Sequence, residues 1–322
     1  MLGQVGFIFA GFLLLVWGAD RLVLGAGASA RNFGISPLLI GLTIVAFATS
    51  TPEIIVSGVS ALQGSTGLAI GNALGSNIAN VGLVLGAAAL VRPLDIKSET
   101  LSREMPALLA VTLLALMLFL DRYLGRVDGL VLLGGMVLLL YWIVSLGIKS
   151  EAGDPIRAEY EAEIRSDLSM RASLAWLVIG LVVLLIGAEL LVAGASDLAR
   201  SLGVTELVVG LTIVAIGTSL PEMAVSIMSA LKGEHGLAIG NIIGSNMFNL
   251  LAVMGVAGVI GPAPVEESVL ELHFPVMIGL TLVLFAMAYT FGGGQGRINR
   301  AEGLALALSY AAYLTYVTMK TL

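Results

Sequence analysis

Apolar residues run in ten long stretches separated by short polar segments, at about 4–24, 36–62, 68–91, 104–121, 127–147, 172–194, 205–231, 236–260, 273–291 and 303–319. A bilayer core roughly 30 Å thick takes about 20 consecutive apolar residues as one helix. The pattern therefore predicts an all-α polytopic membrane protein of ten transmembrane helices. The second and seventh stretches exceed one crossing, and each carries a proline, Pro52 or Pro221. Both are expected to be broken. Met1 to Ala19 lacks the basic leading region of a signal peptide, so the first stretch is read as a retained helix.

The few polar positions inside these stretches repeat. Residues 41–86, GLTIVAFATSTPEIIVSGVSALQGSTGLAIGNALGSNIANVGLVLG, align without a gap on 210–255, GLTIVAIGTSLPEMAVSIMSALKGEHGLAIGNIIGSNMFNLLAVMG, at a constant offset of 169. The same offset aligns GADRLVLGAGASARNFGISPLLIG at 18–41 with GAELLVAGASDLARSLGVTELVVG at 187–210. The repeat unit is thus half the protein: 1–147 and 172–322, five helices each, joined by a polar linker at 148–171. An odd number of helices sends the second unit into the membrane from the opposite side, giving two inverted five-helix repeats. Such repeats build a site near the midplane from interrupted helices.

Charge sets the expected orientation. With the amino terminus outside, 12 of the 16 basic residues fall in inside loops, among them Arg31, Arg92, Lys97, Arg103, Lys149, Lys232 and Arg300. The positive-inside rule then places both termini on the extracytoplasmic side. The linker carries Asp154, Glu159, Glu161, Glu163 and Asp167, but without the glycine and ligand spacing of a calcium-binding EF-hand loop. GGGQGR at 292–297 reads as a turn, since no Lys-Ser/Thr follows it. A net charge of −6 with no basic stripe argues against nucleic acid as a partner. The absence of cysteine excludes thiolate chemistry and disulfides.

Within the repeat cores the ionisable side chains are reduced to one per copy: Glu53 between Arg31 and Arg92, and Glu222 between Glu206 and Lys232. A carboxylate in hydrocarbon is costly and functional by default. Around each acid stand a Thr-Ser-X-Pro-Glu block (Thr49, Ser50, Pro52; Thr218, Ser219, Pro221) and a Gly-Asn-X-X-Gly-Ser-Asn-X-X-Asn block. The second block holds Asn72, Ser76, Asn77 and Asn80 in one copy and Asn241, Ser245, Asn246 and Asn249 in the other. The prolines free the carbonyls of Ala48 and Gly217, which need partners in the membrane. Carboxylate, hydroxyl, amide and carbonyl oxygens suit Ca²⁺, Na⁺ or Mg²⁺ and suit zinc or copper poorly. Glycine pairs four apart, Gly71 with Gly75 and Gly240 with Gly244, are expected to bring the third and eighth helices close to the broken ones. Asn72 and Asn241 read as interhelical ties, and His235 and His273 as solvated residues at helix ends.

These blocks, in this order and in both halves, resemble the repeats of the sodium/calcium exchanger family of cation/calcium antiporters, most closely its compact prokaryotic members. The resemblance implies four clustered cation sites. Glu53 and Glu222 would be ligands shared by calcium and sodium, with Thr49 and Thr218 beside the calcium. Ser76 with the Ala46 carbonyl, and Ser245 with the Ala215 carbonyl, would complete outlying sodium sites; Ser50 and Ser219 would line the cavity. Asn80 and Asn249 fall at the central position, where many members carry one aspartate; asparagine at both leaves two negative charges and argues against the potassium-dependent branch, while the second block differs from the glutamine-containing one of the proton-coupled branch and so favours sodium coupling. The transported ions would be Ca²⁺ and Na⁺ with no cofactor. The resemblance further implies a multi-pass protein of the cell (inner) membrane that works as a monomer in the lipid bilayer. A Ca²⁺/H⁺ antiporter is the alternative and a passive cation channel a more distant one. No enzyme motif occurs in the spans.

Overall fold

The computed structural model describes residues 2–96, 98–149, 168–202, 215–289 and 296–321. The chain is mostly helical. Its first half runs α1 (Leu2–Phe33), α2 (Pro37–Thr49), α3 (Thr51–Leu62), α4 (Thr66–Val91), β1 (Leu94–Ile96), α5 (Ser98–Phe119), β2 (Tyr123–Leu124) and α6 (Arg126–Lys149). The second runs α7 (Met170–Ser201), α8 (Ala215–Thr218), α9 (Leu220–Lys232), α10 (His235–Ile260), β3 (Ala263–Pro264), α11 (Val269–Ala288), β4 (Gly296–Ile298) and α12 (Arg300–Thr321). Helix occupies most of the described part of each predicted stretch, with breaks at Ser50 and Ser219. Among the described residues, six helices are long and apolar enough to cross a membrane by length and composition, or seven if the bent pair α2–α3 is one span. The linker acids Asp154 to Asp167, residues 205–214 of the seventh stretch and 292–295 of the glycine-rich turn lie outside the described residues.

Among the described residues, the longest helix-to-helix contact is α1 against α7, antiparallel. It is lined by glycines seven apart: Gly11, Gly18 and Gly25 on α1, Gly180, Gly187 and Gly194 on α7. A Cβ at Gly18 would overlap the main chain of Leu184, and one at Gly187 the main chain of Leu15. Gly11 and Gly180 stand in the same way against Leu191 and Leu22. Removing the side chain at these positions lets two helices touch backbone to backbone, the usual means of tight association in lipid, where hydrophobicity alone does not drive helices together. This seam was not among the features read from the sequence.

Short ladders tie the helix ends. Strand β1 pairs antiparallel with β4, Leu94 opposite Ile298, and β2 pairs with β3, Tyr123 opposite Pro264. Further polar links join Lys232, the last residue of α9, to Asp20 Oδ1 of α1 at 2.8 Å, Arg92 to the Leu231 carbonyl at 2.9 Å, and Arg122 to Glu267 at 2.8 Å. The two histidines are not solvated, contrary to expectation. His235 is 8% exposed and its Nδ1 accepts the Asp95 N–H at 3.1 Å. His273 is half-buried, 2.7 Å from the Tyr313 hydroxyl. His235 lies under the β1 segment and His273 against helix α12, partners distant in sequence that a one-dimensional pattern does not bring to them.

Candidate ion-binding site

The two prolines act as their positions require. Helices α2 and α3 meet at a 43° bend. Pro52 and Pro221 each stand in the first turn of the following helix, where a missing N–H costs nothing. The break residues take nearly the same backbone, φ −82°, ψ 4° at Ser50 and φ −88°, ψ 2° at Ser219. Glu53 and Glu222 follow in the first turns of α3 and α9, at the positive ends of those helices. Each is 1% exposed.

The helices that carry the second block close over these acids. A Cβ at Gly240 would meet Leu38, Gly41 and Leu42 of α2, and one at Gly244 would meet Leu42 and Ala46. The close approach predicted for α10 is therefore present. At Gly71 and Gly75, no described atom lies within 4 Å of such a Cβ. The ties expected of Asn72 and Asn241 are both made. Asn72 Nδ2 reaches Ser57 Oγ at 3.2 Å and the Glu53 carbonyl at 3.5 Å; Asn241 Nδ2 reaches Ser226 Oγ at 3.1 Å and the Glu222 carbonyl at 3.3 Å. Each pins the main chain of its own acid.

Several candidate ligands meet across the two halves. Ser50 donates to Glu222 Oε1 at 3.2 Å and Ser245 to the same oxygen at 3.5 Å. The Thr49 hydroxyl lies 3.2 Å from Asn241 Oδ1, 3.3 Å from the Ala46 carbonyl and 3.5 Å from Ser245 Oγ. Asn80 donates to Asn246 Oδ1 and Asn249 to Asn77 Oδ1, both at 3.1 Å. Ser76 and Ala46 are buried, Thr218 is half-buried, and Ala215 opens α8. The sequence reading had not singled out Asn77 and Asn246, although both belong to the repeated block and sit one turn from Asn80 and Asn249.

The unused atoms show what this arrangement can hold. Buried oxygens lacking a hydrogen-bond partner include Glu53 Oε2, Glu222 Oε2, Asn80 Oδ1, Asn249 Oδ1 and Ser219 Oγ. Orphaned buried acceptors are rare because each forfeits its hydration. Four of these, on Glu53 with Glu222 and on Asn80 with Asn249, are pairs related by the repeat offset, whereas Ser219 stands without its counterpart Ser50, which is bonded. No cluster of three or more His, Asp or Glu occurs among the described residues. Two carboxylates with neutral oxygens form a hard, weakly charged donor set, fitted to a group 1 or group 2 cation.

Comparison with known proteins identifies the family. The profile of the sodium/calcium exchanger protein family matches residues 3–149 and 172–319. CaxA of Alkalimonas amylolytica is 47% identical over 313 residues, 97% of this chain and 98% of that protein. The inner membrane protein YrbG of Escherichia coli is 42% identical over 89% of each chain, and the sodium/calcium exchanger MaX1 of Methanosarcina acetivorans 31% identical over 95% and 96%. Among solved structures, the sodium-calcium exchanger NCX_Mj soaked with 10 mM Na⁺ superposes with a TM-score of 0.83 at 33% identity, covering 97% of this chain and 98% of that one. With both halves matched and the acids in corresponding turns of each, the chain belongs to the sodium/calcium exchanger family, whose members are membrane transporters.

Proposed function

We propose that this protein exchanges Na⁺ for Ca²⁺ across a membrane by alternating access to one buried cavity. Glu53 and Glu222 are the charged ligands. Thr49, Thr218, Ser50, Ser219, Ser76, Ser245, Asn80, Asn249 and the carbonyls of Ala46 and Ala215 supply neutral oxygens. The observation that carries this reading is the set of unpartnered oxygens on Glu53, Glu222, Asn80 and Asn249. MaX1 is named a sodium/calcium exchanger, and the NCX_Mj structures were soaked in Na⁺, Ca²⁺ and Sr²⁺.

Charge explains coupling. With both acids ionised, one Ca²⁺ or two Na⁺ neutralise the cavity and three Na⁺ leave it at +1. Empty, it would carry two negative charges through low dielectric, at a desolvation cost that holds it still. Loaded states cross and the empty state does not.

We read the architecture as ten spans in two inverted five-helix units, 1–147 and 172–322, with a cytoplasmic linker at 148–171 and both termini outside. The strand pairs support it: β1 with β4 and β2 with β3 each join segments that this topology puts on one side. So do Lys232 with Asp20 and Arg122 with Glu267. The inner membrane is the expected location, as for YrbG. Uptake of ⁴⁵Ca²⁺ into proteoliposomes tests the function: it should require an outward Na⁺ gradient and persist when the pH gradient is collapsed. Uptake driven by the pH gradient alone would establish proton coupling instead, and uptake without any counter-ion a channel.

A further inference from the structure

We propose that Asn77 and Asn246 are positioning residues that hold the amides of Asn249 and Asn80 with their oxygens turned into the cavity. The proposal rests on the reading of that cavity as a cation site. A primary amide has two nearly isosteric ends, one an acceptor and one a double donor. Only the oxygen end can hold a cation, so something must fix which end faces inward. Asn80 Nδ2 donates to Asn246 Oδ1 and Asn249 Nδ2 to Asn77 Oδ1, each at 3.1 Å, and the two bonds are related by the repeat offset. They engage the donor ends and leave Asn80 Oδ1 and Asn249 Oδ1 buried with no hydrogen-bond partner.

For Asn77 the orientation is anchored in main chain. Asn77 Nδ2 donates to the Asn246 carbonyl at 3.2 Å, an atom that can only accept, and approaches Met277 Sδ at 3.4 Å. Asn77 therefore presents its oxygen to Asn249 and cannot turn over without losing that bond. A half-turn of the Asn249 amide would set two oxygens against each other at Asn77 and aim N–H groups at the ion. All four asparagines are 1% exposed, so solvent offers no easy replacement partner. A π-helical turn begins at each outer member, Asn80–Leu85 and Asn249–Val253. Such one-turn widenings re-aim side chains and recur at functional sites.

The test is Na⁺-driven ⁴⁵Ca²⁺ uptake by the reconstituted full-length chain as a function of Ca²⁺ concentration. The variants are Asn77→Ala, Asn249→Ala and their combination, each first shown to elute from detergent as one folded species. Loss of an outer-shell partner typically weakens a metal site about 10- to 100-fold. Asn77→Ala should raise the half-saturating Ca²⁺ by that factor while largely keeping the maximal rate, and should add nothing once Asn249 is alanine. The parallel cycle of Asn246→Ala with Asn80→Ala should behave likewise and decides the matter if Asn77→Ala does not fold. Equal effects of Asn77→Ala in both backgrounds, or an unchanged half-saturating Ca²⁺, would overturn the positioning role. Absence of Na⁺-driven uptake in the unsubstituted protein would instead overturn the reading of the cavity itself.

Discussion

Ser50, at the break in the first half, donates its hydroxyl to Glu222 in the second half, 172 residues along the chain and 3.2 Å away in space. Its counterpart Ser219 has a buried Oγ with no hydrogen-bond partner. The two halves share one sequence pattern but do not make the same bonds. A hydrogen bond to a charged group contributes about 1.5–3 kcal/mol. Ser50→Ala is accordingly expected to weaken Ca²⁺ binding about tenfold or more in this arrangement, and Ser219→Ala by less. Isothermal titration of the two purified variants checks it; equal losses would show the asymmetry to have no energetic weight.

Glu53→Gln and Glu222→Gln should each abolish exchange while leaving the ion-free protein at least as heat-stable as before. A buried carboxylate without its cation is a cost to the fold, and the amide removes that cost at constant shape. Flux and melting measured on the same preparation separate the two effects. A variant that stops transporting because it unfolds would contradict the assignment.

Ligand linkage gives an independent measure. Ca²⁺ at 100 times its dissociation constant should stabilise the folded protein by about 2.7 kcal/mol. The gain should vanish on chelation and be absent in Glu222→Gln. Melting that ignores Ca²⁺ and Na⁺ alike would place no cation in the cavity.

The α1–α7 seam predicts a sharp contrast among glycines. Gly18→Ala and Gly187→Ala each insert a methyl into opposing main chain, and overpacking of this kind costs about 1–3 kcal/mol. Gly3 and Gly6 on the same helix have open space around a Cβ, so alanine there should be neutral or slightly stabilising through helix propensity. Thermal unfolding in detergent distinguishes the pairs.

How much of this was legible beforehand depends on the kind of signal. The breaks at Pro52 and Pro221, the lone acids and the matching blocks are local patterns, doubled by duplication, and the structure brings Ser50, Thr49, Ser245 and Glu222 together as that doubling suggested. The seven-residue spacing of Gly11, Gly18 and Gly25 was equally visible but carries no meaning until a partner helix is known. The bonds from Asn80 to Asn246 and from Asn249 to Asn77 were hidden for another reason: each joins residues more than 160 positions apart, and a symmetric sequence does not say which copy bonds which. His235 was misjudged because its cover, the Asp95 main chain, comes from a distant segment.

The seam also bears on how the two halves have diverged. Gly18 receives Leu184, and the equivalent glycine, Gly187, receives Leu15, itself the equivalent of Leu184. Each copy furnishes both lock and key to the other. What each glycine meets is main chain, which no side-chain change in the opposite copy can move aside, so neither twin is free to add bulk along this line.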